Sequence, residues 1–252
     1  MDTENSSNER REKLFQKLSN IAKRGPIPAI MTGDTAIGMT LLDALGIDYT
    51  SSAKPKFEGI VVTARRRAPT GRGNRVNLFA QVPDWDLSTC KSSREIVQKH
   101  GYKPGSNKRR LYCTVSARSA NSHGLVLEIN NREGLVEEIS QASGVREPVA
   151  VWNIKKLQDR LLQARPESVW VKAVVFKRDG QEFFHYREGL YTGPPKVAIF
   201  STLLDAGTIT IDHLIDLEGN RAREKGPFFK IHPSNLDLLF PSPQKYDLLT
   251  LA

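Results

Sequence analysis

The sequence predicts an α/β fold of the mixed α+β kind, with a mixed sheet flanked by helices. Three observations support this fold class. Apolar residues recur at helical spacing in several separate segments, and runs rich in β-branched residues lie between those segments. Asp179 and Gly180 join two such runs, and this pair favours the type I′ turn of a β-hairpin.

Helix boundaries are marked by capping and stop signals. Ser6-Ser7-Asn8-Glu9 matches a capping box with Ser6 as the N-cap, and Gly25-Pro26 stops the helix that follows. A second helix is expected from about Ala36 to Leu45, because Gly46 suits the residue after a helix end. Further helices are expected over 93–100, after Asn153, over 195–204 and over 235–240.

Alternating and β-branched segments predict the strands. They are expected over 59–65, 76–80, 111–117, 124–129, 149–152, 168–178, 181–186, 208–215 and 228–231. The charged segment Glu218–Gly226 is predicted to be a loop.

The composition bounds the class of protein. Lys and Arg number 37 against 28 Asp and Glu, a net charge of +9, which attracts polyanions such as nucleic acid. Cys90 and Cys113 lack a CxxC neighbour, so we expect two reduced thiols and no zinc site. No apolar run approaches the ~18 residues of a membrane span, and the first residues lack the pattern of a secretion signal. We therefore expect a cytoplasmic protein without membrane association.

The positive charge is concentrated at predicted strand ends and loops. Arginine side chains there suit phosphate oxygens, although each cluster taken alone could be a solvated face. Three clusters at strand–loop junctions together favour DNA as the ligand. The candidate DNA-binding residues in these clusters are Arg65, Arg66, Arg67, Arg72, Arg75, Lys108, Arg109, Arg110, Arg221, Arg223, Lys225 and Lys230.

Several segments, in order, resemble motifs of the MvaI/BcnI-type restriction endonucleases. Thr35–Ile47 is similar to the TGIGxTLExLLGI helix opening of that family, and Pro55–Thr63 falls where the family carries its PDFxxIEIK strand. Asn77–Pro83 is similar to LTLFTKxP, and Gly226–Ile231 to GTAFRI. The remaining matching segments, at 101–102, 114–116, 151–152 and 157–158, keep the order and spacing.

The resemblance covers about residues 30 to 240 and implies a restriction-endonuclease-like fold with two lobes around a DNA cleft. On that basis we expect an N-terminal helix or extension over 1–25, an endonuclease-like lobe over 26–150, and a C-terminal lobe with DNA-recognition elements over 151–252. The resemblance also implies a monomer.

The family hydrolyses phosphodiesters with Mg²⁺, which requires carboxylates for the metal and a lysine near the attacking water. By resemblance, its helix Glu falls on Leu42, its Asp on Lys56, its motif Glu on Val61 and its motif Lys on Thr63. No acidic residue of the sequence is followed two positions later by lysine. We therefore expect no catalytic residues, no metal and no cofactor, and a Lys56 that pairs with the phosphate once bridged by the metal.

DNA-reading residues are also expected from the resemblance. Lys230 falls at the arginine of GTAFRI, where it would donate to guanine O6 and N7. His213, Arg221, Arg223, Glu224 and Lys225 are the next candidates for base or phosphate contacts.

Three hypotheses follow from the sequence. The first is a sequence-specific binder of double-stranded DNA without nuclease activity: a repressor, a competitor for a restriction site, or a recognition subunit beside a companion nuclease or methyltransferase. The second is an active Mg²⁺-dependent endonuclease or nickase, in which a slipped alignment places Glu58 and Asp43 or Asp48 at the metal. The third is a structural or protein-interaction subunit of a DNA-processing or defence complex.

Overall fold

A computed structural model describes residues 2–48, 56–67, 75–105 and 108–251, with side chains from Ser6 onward except that of Lys56. In chain order, the helices and strands of these residues are α1 (Asp2–Lys23), β1 (Ile27–Pro28), α2 (Ala36–Leu45), β2 (Lys56–Phe57), β3 (Ile60–Arg66), β4 (Val76–Ala80), α3 (Ser93–His100), β5 (Tyr102–Gly105), β6 (Lys108–Val115), β7 (Leu125–Asn130), β8 (Leu135–Ser140), β9 (Glu147–Asn153), α4 (Ile154–Ala164), β10 (Ser168–Arg178), β11 (Gln181–Thr192), α5 (Phe200–Asp205), β12 (Ile209–Glu218), β13 (Arg221–Glu224), β14 (Phe228–Ile231), α6 (Leu236–Leu239) and β15 (Gln244–Asp247).

The chain forms two units whose segments alternate along the sequence. Unit 1 comprises 1–73, 164–195 and 240–252, and unit 2 comprises 74–163 and 196–239. This division differs from the contiguous lobes expected over 26–150 and 151–252. The reason is long-range strand pairing, because β3 pairs in parallel with β10, more than 100 residues further along the chain.

Unit 1 is a sheet in the order β1-β11-β10-β3-β2, with β15 paired to β11. Helices α1 and α2 contribute to its core: Leu14, Leu18 and Leu41 are buried together with the strand residues Ile60 and Val171. Only the β3–β10 pair is parallel among the described pairs of this sheet, so the sheet is mixed as predicted.

Two local predictions for unit 1 are confirmed and one is wrong. Helix α2 has the expected bounds and ends at Gly46, whose φ of +68° is left-handed. Asp179 and Gly180 both have positive φ, as a type I′ hairpin turn requires. Ser6 does not cap α1, because the helix already begins at Asp2 and contains Ser6 in its interior. A capping-box pattern does not by itself mark the first residue of a helix, because serine is also tolerated in the interior of a helix.

Unit 2 contains a sheet in the order β4-β14-β12-β6-β5, with β13 paired to β12, and a three-stranded sheet β7-β8-β9. With the sheet of unit 1, these sheets make the mixed α+β fold that the sequence predicts, although its strands are divided among three sheets. In unit 2, the large side chains that are fully buried include Phe79, Trp152, Phe200 and Phe229. Helix α3 has the predicted bounds, and the Ser92 hydroxyl accepts a hydrogen bond from the Glu95 amide at its start.

Three strands of unit 2 are not predicted from the sequence: β5, β8 and β13. Strand β8 contains Glu137 and Glu138, and Glu138 is fully buried, so an acidic residue occupies a core position of the alternating pattern. The segment predicted as a charged loop contains β13, which pairs antiparallel with the end of β12 across a turn at Gly219, where φ is +57°. Charge alone therefore misidentified an exposed hairpin as a loop.

Within the part of the chain that the structure describes, no helix is both long and apolar enough to cross a membrane.

Candidate nucleic-acid interface

Val61 and Thr63, which by resemblance fall at the family's motif Glu and Lys, lie on one face of β3. Alternate residues of a strand share a face, so Val61, Thr63 and Arg65 point the same way. Their partners on β10 are Ser168, Trp170 and Lys172, respectively. Val61 is only 1% exposed, and its side chain has no atom that can bind a metal ion.

A buried arginine occupies the neighbourhood of Thr63. The Arg165 Nη1 group donates a hydrogen bond of 2.9 Å to Thr63 Oγ1. Its guanidinium carbon lies 4.2 Å from the ring centre of Trp170, in cation–π geometry. Burial lowers the pKa of Arg165 to about 9, which still leaves it charged at neutral pH. The face that carries the motif in the family therefore carries a positive charge here.

The other expected positions offer no metal ligands either. Leu42 is 5% exposed and belongs to the core of unit 1. The backbone of Lys56 lies opposite Val61, in register with the motif. The fallback residue Glu58 is bound by Lys13, and its backbone carbonyl accepts a 2.7 Å hydrogen bond from Arg10.

Acidic residues do not converge elsewhere in the described ranges. Asp43 and Asp48 are exposed, on and after α2. Among the described residues, no group of three or more His, Cys, Asp and Glu side chains is arranged to hold a metal ion. The described side chains at these positions therefore offer no set of carboxylates that would hold a Mg²⁺ ion.

The arginine run that ends β3 is held by acidic partners within unit 1. Arg66 makes a two-pronged ion pair with Glu182, at 2.9 and 2.8 Å, and its guanidinium lies over the ring of Phe184. Arg67 lies 3.9 Å from a carboxylate oxygen of Glu188. Arg72 lies outside the described residues.

One face of the larger sheet of unit 2 is lined by polar side chains. Directly opposed residues share a face, and the pairs Thr114–Asp212, Arg110–Asp216 and Asp216–Arg223 place these side chains together. We call this surface the polar face. Its charged and hydroxyl-bearing residues are Arg75, Lys108, Arg110, Tyr112, Thr114, Thr210, Asp212, Asp216, Glu218, Arg221, Arg223 and Lys230. Six of these are cations and three are carboxylates, so the polar face has a net positive charge.

The best-ordered part of the polar face surrounds Asp212. Its carboxylate lies 2.8 Å from Arg75 Nη2 and 2.8 Å from Lys230 Nζ. Thr114 donates to the same carboxylate at 2.8 Å, and Arg75 also donates to the hydroxyls of Thr114 and Thr210. Asp212 thus fixes the direction of two cationic donors, Arg75 just before β4 and Lys230 on β14.

A second ordered group lies around Asp216. Arg110 Nε donates to Asp216 at 2.7 Å, and the Tyr112 hydroxyl donates to the other carboxylate oxygen. The Tyr112 and Arg110 hydrogen bonds hold the pKa of Asp216 below its ordinary value. Lys108 pairs with Glu218 at 3.3 Å at the end of the same strands. Three carboxylates on β12 therefore order the cations around them.

Two expected DNA contacts are corrected by the structure. Arg109 lies on the opposite face of β6 from Arg110, and its Nη1 donates to the Gln98 carbonyl at 2.7 Å, near the end of α3. His213 is fully buried, and its Nε2 lies 2.9 Å from the Glu138 carboxylate. Odd-numbered residues of β12 face the core, which is why His213 is unavailable to a base.

The remaining candidates in this region differ in exposure. Arg221, Arg223 and Lys225 are exposed. Glu224 is half-buried and accepts a hydrogen bond from the Ser93 hydroxyl, so it also binds within the protein.

Four residues of these surfaces are not predicted from the sequence: Asp212, Asp216, Lys172 and Arg165. The first two could have been found from alternation, because Asp212, Asp216 and Glu218 recur at even positions of a strand whose odd positions are apolar apart from His213. Arg165 follows the end of α4 and has no comparable sequence signal.

Comparison with known proteins identifies the family. The sequence profile of the MvaI/BcnI restriction endonuclease family matches residues 15–240. A search of curated proteins gives no match. The chain belongs to the MvaI/BcnI restriction endonuclease family.

Two solved structures are similar to this chain. One is the complex of restriction endonuclease MvaI with cognate DNA substrate, with a TM-score of 0.78, 17% identity and coverage of 94% of this chain and 97% of that chain. The other is MvaI in the absence of DNA, with a TM-score of 0.55, 16% identity and the same coverage of 94% and 97%. At this level of identity the similarity establishes the fold.

Proposed function

We propose that this chain binds double-stranded DNA at a specific sequence and does not hydrolyse it. The observation that carries the proposal is the environment of β3. Val61 and Thr63 occupy the positions of the motif Glu and Lys, and Arg165 donates to Thr63. A face with a guanidinium and without a carboxylate at these positions opposes Mg²⁺ binding, because like charges repel strongly where water is excluded.

DNA binding is supported by the polar face of unit 2. Arg75 and Lys230 are held by Asp212 and present donors of the kind that bind guanine O6 and N7. Asp212 and Asp216 are acceptors, which suit the cytosine N4 amino group. We assign base contacts to these residues and backbone contacts to the exposed cations Arg221, Arg223 and Lys225 around them.

A second candidate function is favoured by family membership: a Mg²⁺-dependent endonuclease or nickase with an atypical site. It would use the fallback residues Asp43 and Glu58. The contacts of Glu58 with Lys13 and Arg10 weigh against it, since a carboxylate in use as a metal ligand would have to leave that ion pair. Specific DNA binding without hydrolysis is compatible with three roles: a repressor, a competitor for a restriction site and a recognition subunit.

The same proposal includes the oligomeric state, the location and the partners of the chain. We expect a monomer that acts in the cytoplasm on double-stranded DNA, beside a companion nuclease or methyltransferase. Copurification from the native cell, followed by assays for cleavage and methyl transfer in the copurified fraction, tests that expectation.

The test of specific binding is selection from random duplexes in EDTA. We expect the protein to enrich a defined sequence and to retain it uncut when Mg²⁺ is added. Arg75→Ala and Lys230→Ala should each reduce that enrichment. Retention of all duplexes alike would contradict specific recognition, and no retention at all would contradict DNA binding.

A further inference from the structure

Three cations surround one carboxylate on the sheet of unit 1. Lys172 Nζ lies 2.6 Å from Glu188 Oε2, and Arg67 Nε lies 3.9 Å from Glu188 Oε1. The Glu188 charge also acts on Arg65, where it opposes the effect of burial, which lowers the pKa of Arg65. We call Arg65, Arg67, Lys172 and Glu188 the β3–β10–β11 cluster. One carboxylate against three cations leaves this cluster positively charged.

The cluster lies on the same face as the degenerate motif. Strand pairing places Arg65 opposite Lys172, and Lys172 opposite Glu188, in one row across β3, β10 and β11. Thr63 and Trp170 form the row two residues earlier on the same face. Consecutive rows on one face of a strand are about 6.6 Å apart, so the cluster adjoins the position of the motif lysine.

Arg65 supplies a second, independent observation. Its Nε group is buried and has no hydrogen-bond partner among the described residues. A buried donor without an acceptor is unfavourable, and a phosphate oxygen reaches this atom only if the Arg65 side chain turns outward, which would relieve that cost. Phosphate oxygens are strong acceptors for guanidinium and ammonium donors together.

We propose that Arg65, Arg67 and Lys172 form a site for one backbone phosphate of DNA, next to the degenerate motif. This inference rests on the proposed DNA binding and adds Lys172 to the interface. Glu188 pairs with Lys172 and Arg67 and tempers the mutual repulsion of the three cations. Its own negative charge also opposes the arriving phosphate.

The alternative is an inter-strand ion pair that only stabilises the sheet. The two roles predict different effects of two substitutions on DNA binding. If the cluster binds phosphate, Lys172→Gln should weaken DNA binding about three- to tenfold and reduce the slope of log affinity against log salt by a fraction of the ~0.9 expected for one phosphate, because Arg65 and Arg67 still face that phosphate. Glu188→Gln should strengthen DNA binding at low salt, because it removes a negative charge beside the phosphate. If the pair is purely structural, both substitutions lower the melting temperature and neither alters the salt slope.

The experiment is a salt titration of duplex binding for four proteins: the unaltered chain, K172Q, E188Q and the control K177Q. Lys177 is on the same strand but exposed at its hairpin end, so K177Q should retain the affinity and the slope. Melting temperatures confirm that each variant is folded. An unchanged slope in K172Q, with DNA binding intact, overturns the phosphate site alone. Absence of DNA binding by the unaltered chain overturns the proposed function as well.

Discussion

Arg165 donates a 2.9 Å hydrogen bond to Thr63, the residue at the position of the family's motif lysine. The same guanidinium stacks on Trp170 and is almost entirely buried. A positive charge thus remains at this end of the motif, but on a side chain from a different part of the chain. An arginine stays protonated at neutral pH and cannot take a proton from water as a catalytic base does.

The first prediction concerns the stability of this arrangement. Arg165→Ala removes the hydrogen bond to Thr63 and the stacking on Trp170, and leaves a cavity beside a buried ring. We expect the free energy of unfolding to fall by about 2–4 kcal/mol. Urea unfolding measures it, with Arg178→Ala as the matched control, because Arg178 is exposed at the hairpin end. Equal losses in the two variants would contradict the structural role of Arg165.

Adjacent arginines provide the second prediction. Arg110→Gln removes a cation from the polar face, so DNA affinity should fall and the salt slope should decrease by about 0.9, with the melting temperature little changed. Arg109→Gln removes the hydrogen bonds to the carbonyls of Gln98 and Gly101. It should lower the free energy of unfolding by about 1–2 kcal/mol and leave the salt slope unaltered. The reverse pattern would mean that the face assignment of β6 is wrong.

The third prediction separates base contacts from backbone contacts. Lys230→Ala should reduce discrimination at one base pair by about 1–3 kcal/mol, because Lys230 is oriented by Asp212. Lys225→Ala removes an exposed cation outside that cluster and should weaken binding to all sequences equally. Competition between the selected duplex and its single-base variants measures both effects. Uniform weakening by Lys230→Ala would remove it from the base-reading set.

The fourth prediction is a pH dependence of stability in unit 2. Burial raises the pKa of the Glu224 carboxyl to about 7. Burial acts to lower the pKa of His213, but the charge and hydrogen bond of Glu138, with the charges of Glu224 and Asp212, raise it above its ordinary value. Both groups therefore bind a proton more tightly in the folded chain than in the unfolded chain.

A raised folded-state pKa contributes stability that is fully present below the unfolded pKa and is lost as the pH rises through the folded pKa. For Glu224 this loss extends from about pH 4.5 to about pH 7, and for His213 it begins near pH 6.5. The free energy of unfolding should therefore fall between about pH 5 and pH 8. Glu224→Gln should make that decline shallower, whereas Glu133→Gln, at an exposed turn, should leave it unaltered. A stability that rises across this range would contradict the assignment.

Local structure is predictable from the sequence where the spacing of apolar residues agrees with the signals at the ends of the element. Helix α2 with Gly46, helix α3 and strands β4 and β14 have the expected bounds. Strand β8 was missed because Glu138 takes an inward position that is compensated only by His213, on a strand 75 residues away. Compensation over such a separation is invisible to local periodicity.

The sequence predicts which cations belong to the candidate site, but not which face of the sheet each side chain occupies. Arg109 and Arg110 are equivalent in a charge count, yet they lie on opposite faces of β6. The ordering carboxylates Asp212 and Glu188 cannot be predicted from composition, because acidic residues argue against a DNA interface when only charge is counted. The interleaving of the two units likewise depends on the pairing of β3 with β10, which no local signal specifies.

The central claim is that the chain binds DNA and leaves it intact, and a cleavage assay with a binding control tests it most directly. Supercoiled plasmid carrying the selected sequence is incubated with the protein in Mg²⁺, in Mn²⁺ and in EDTA, and binding is scored in parallel. We expect retarded, fully supercoiled DNA under all three conditions. Nicked circles or discrete fragments that require a metal, and that disappear in Glu58→Gln or Asp43→Asn, would contradict the account and restore the nuclease function.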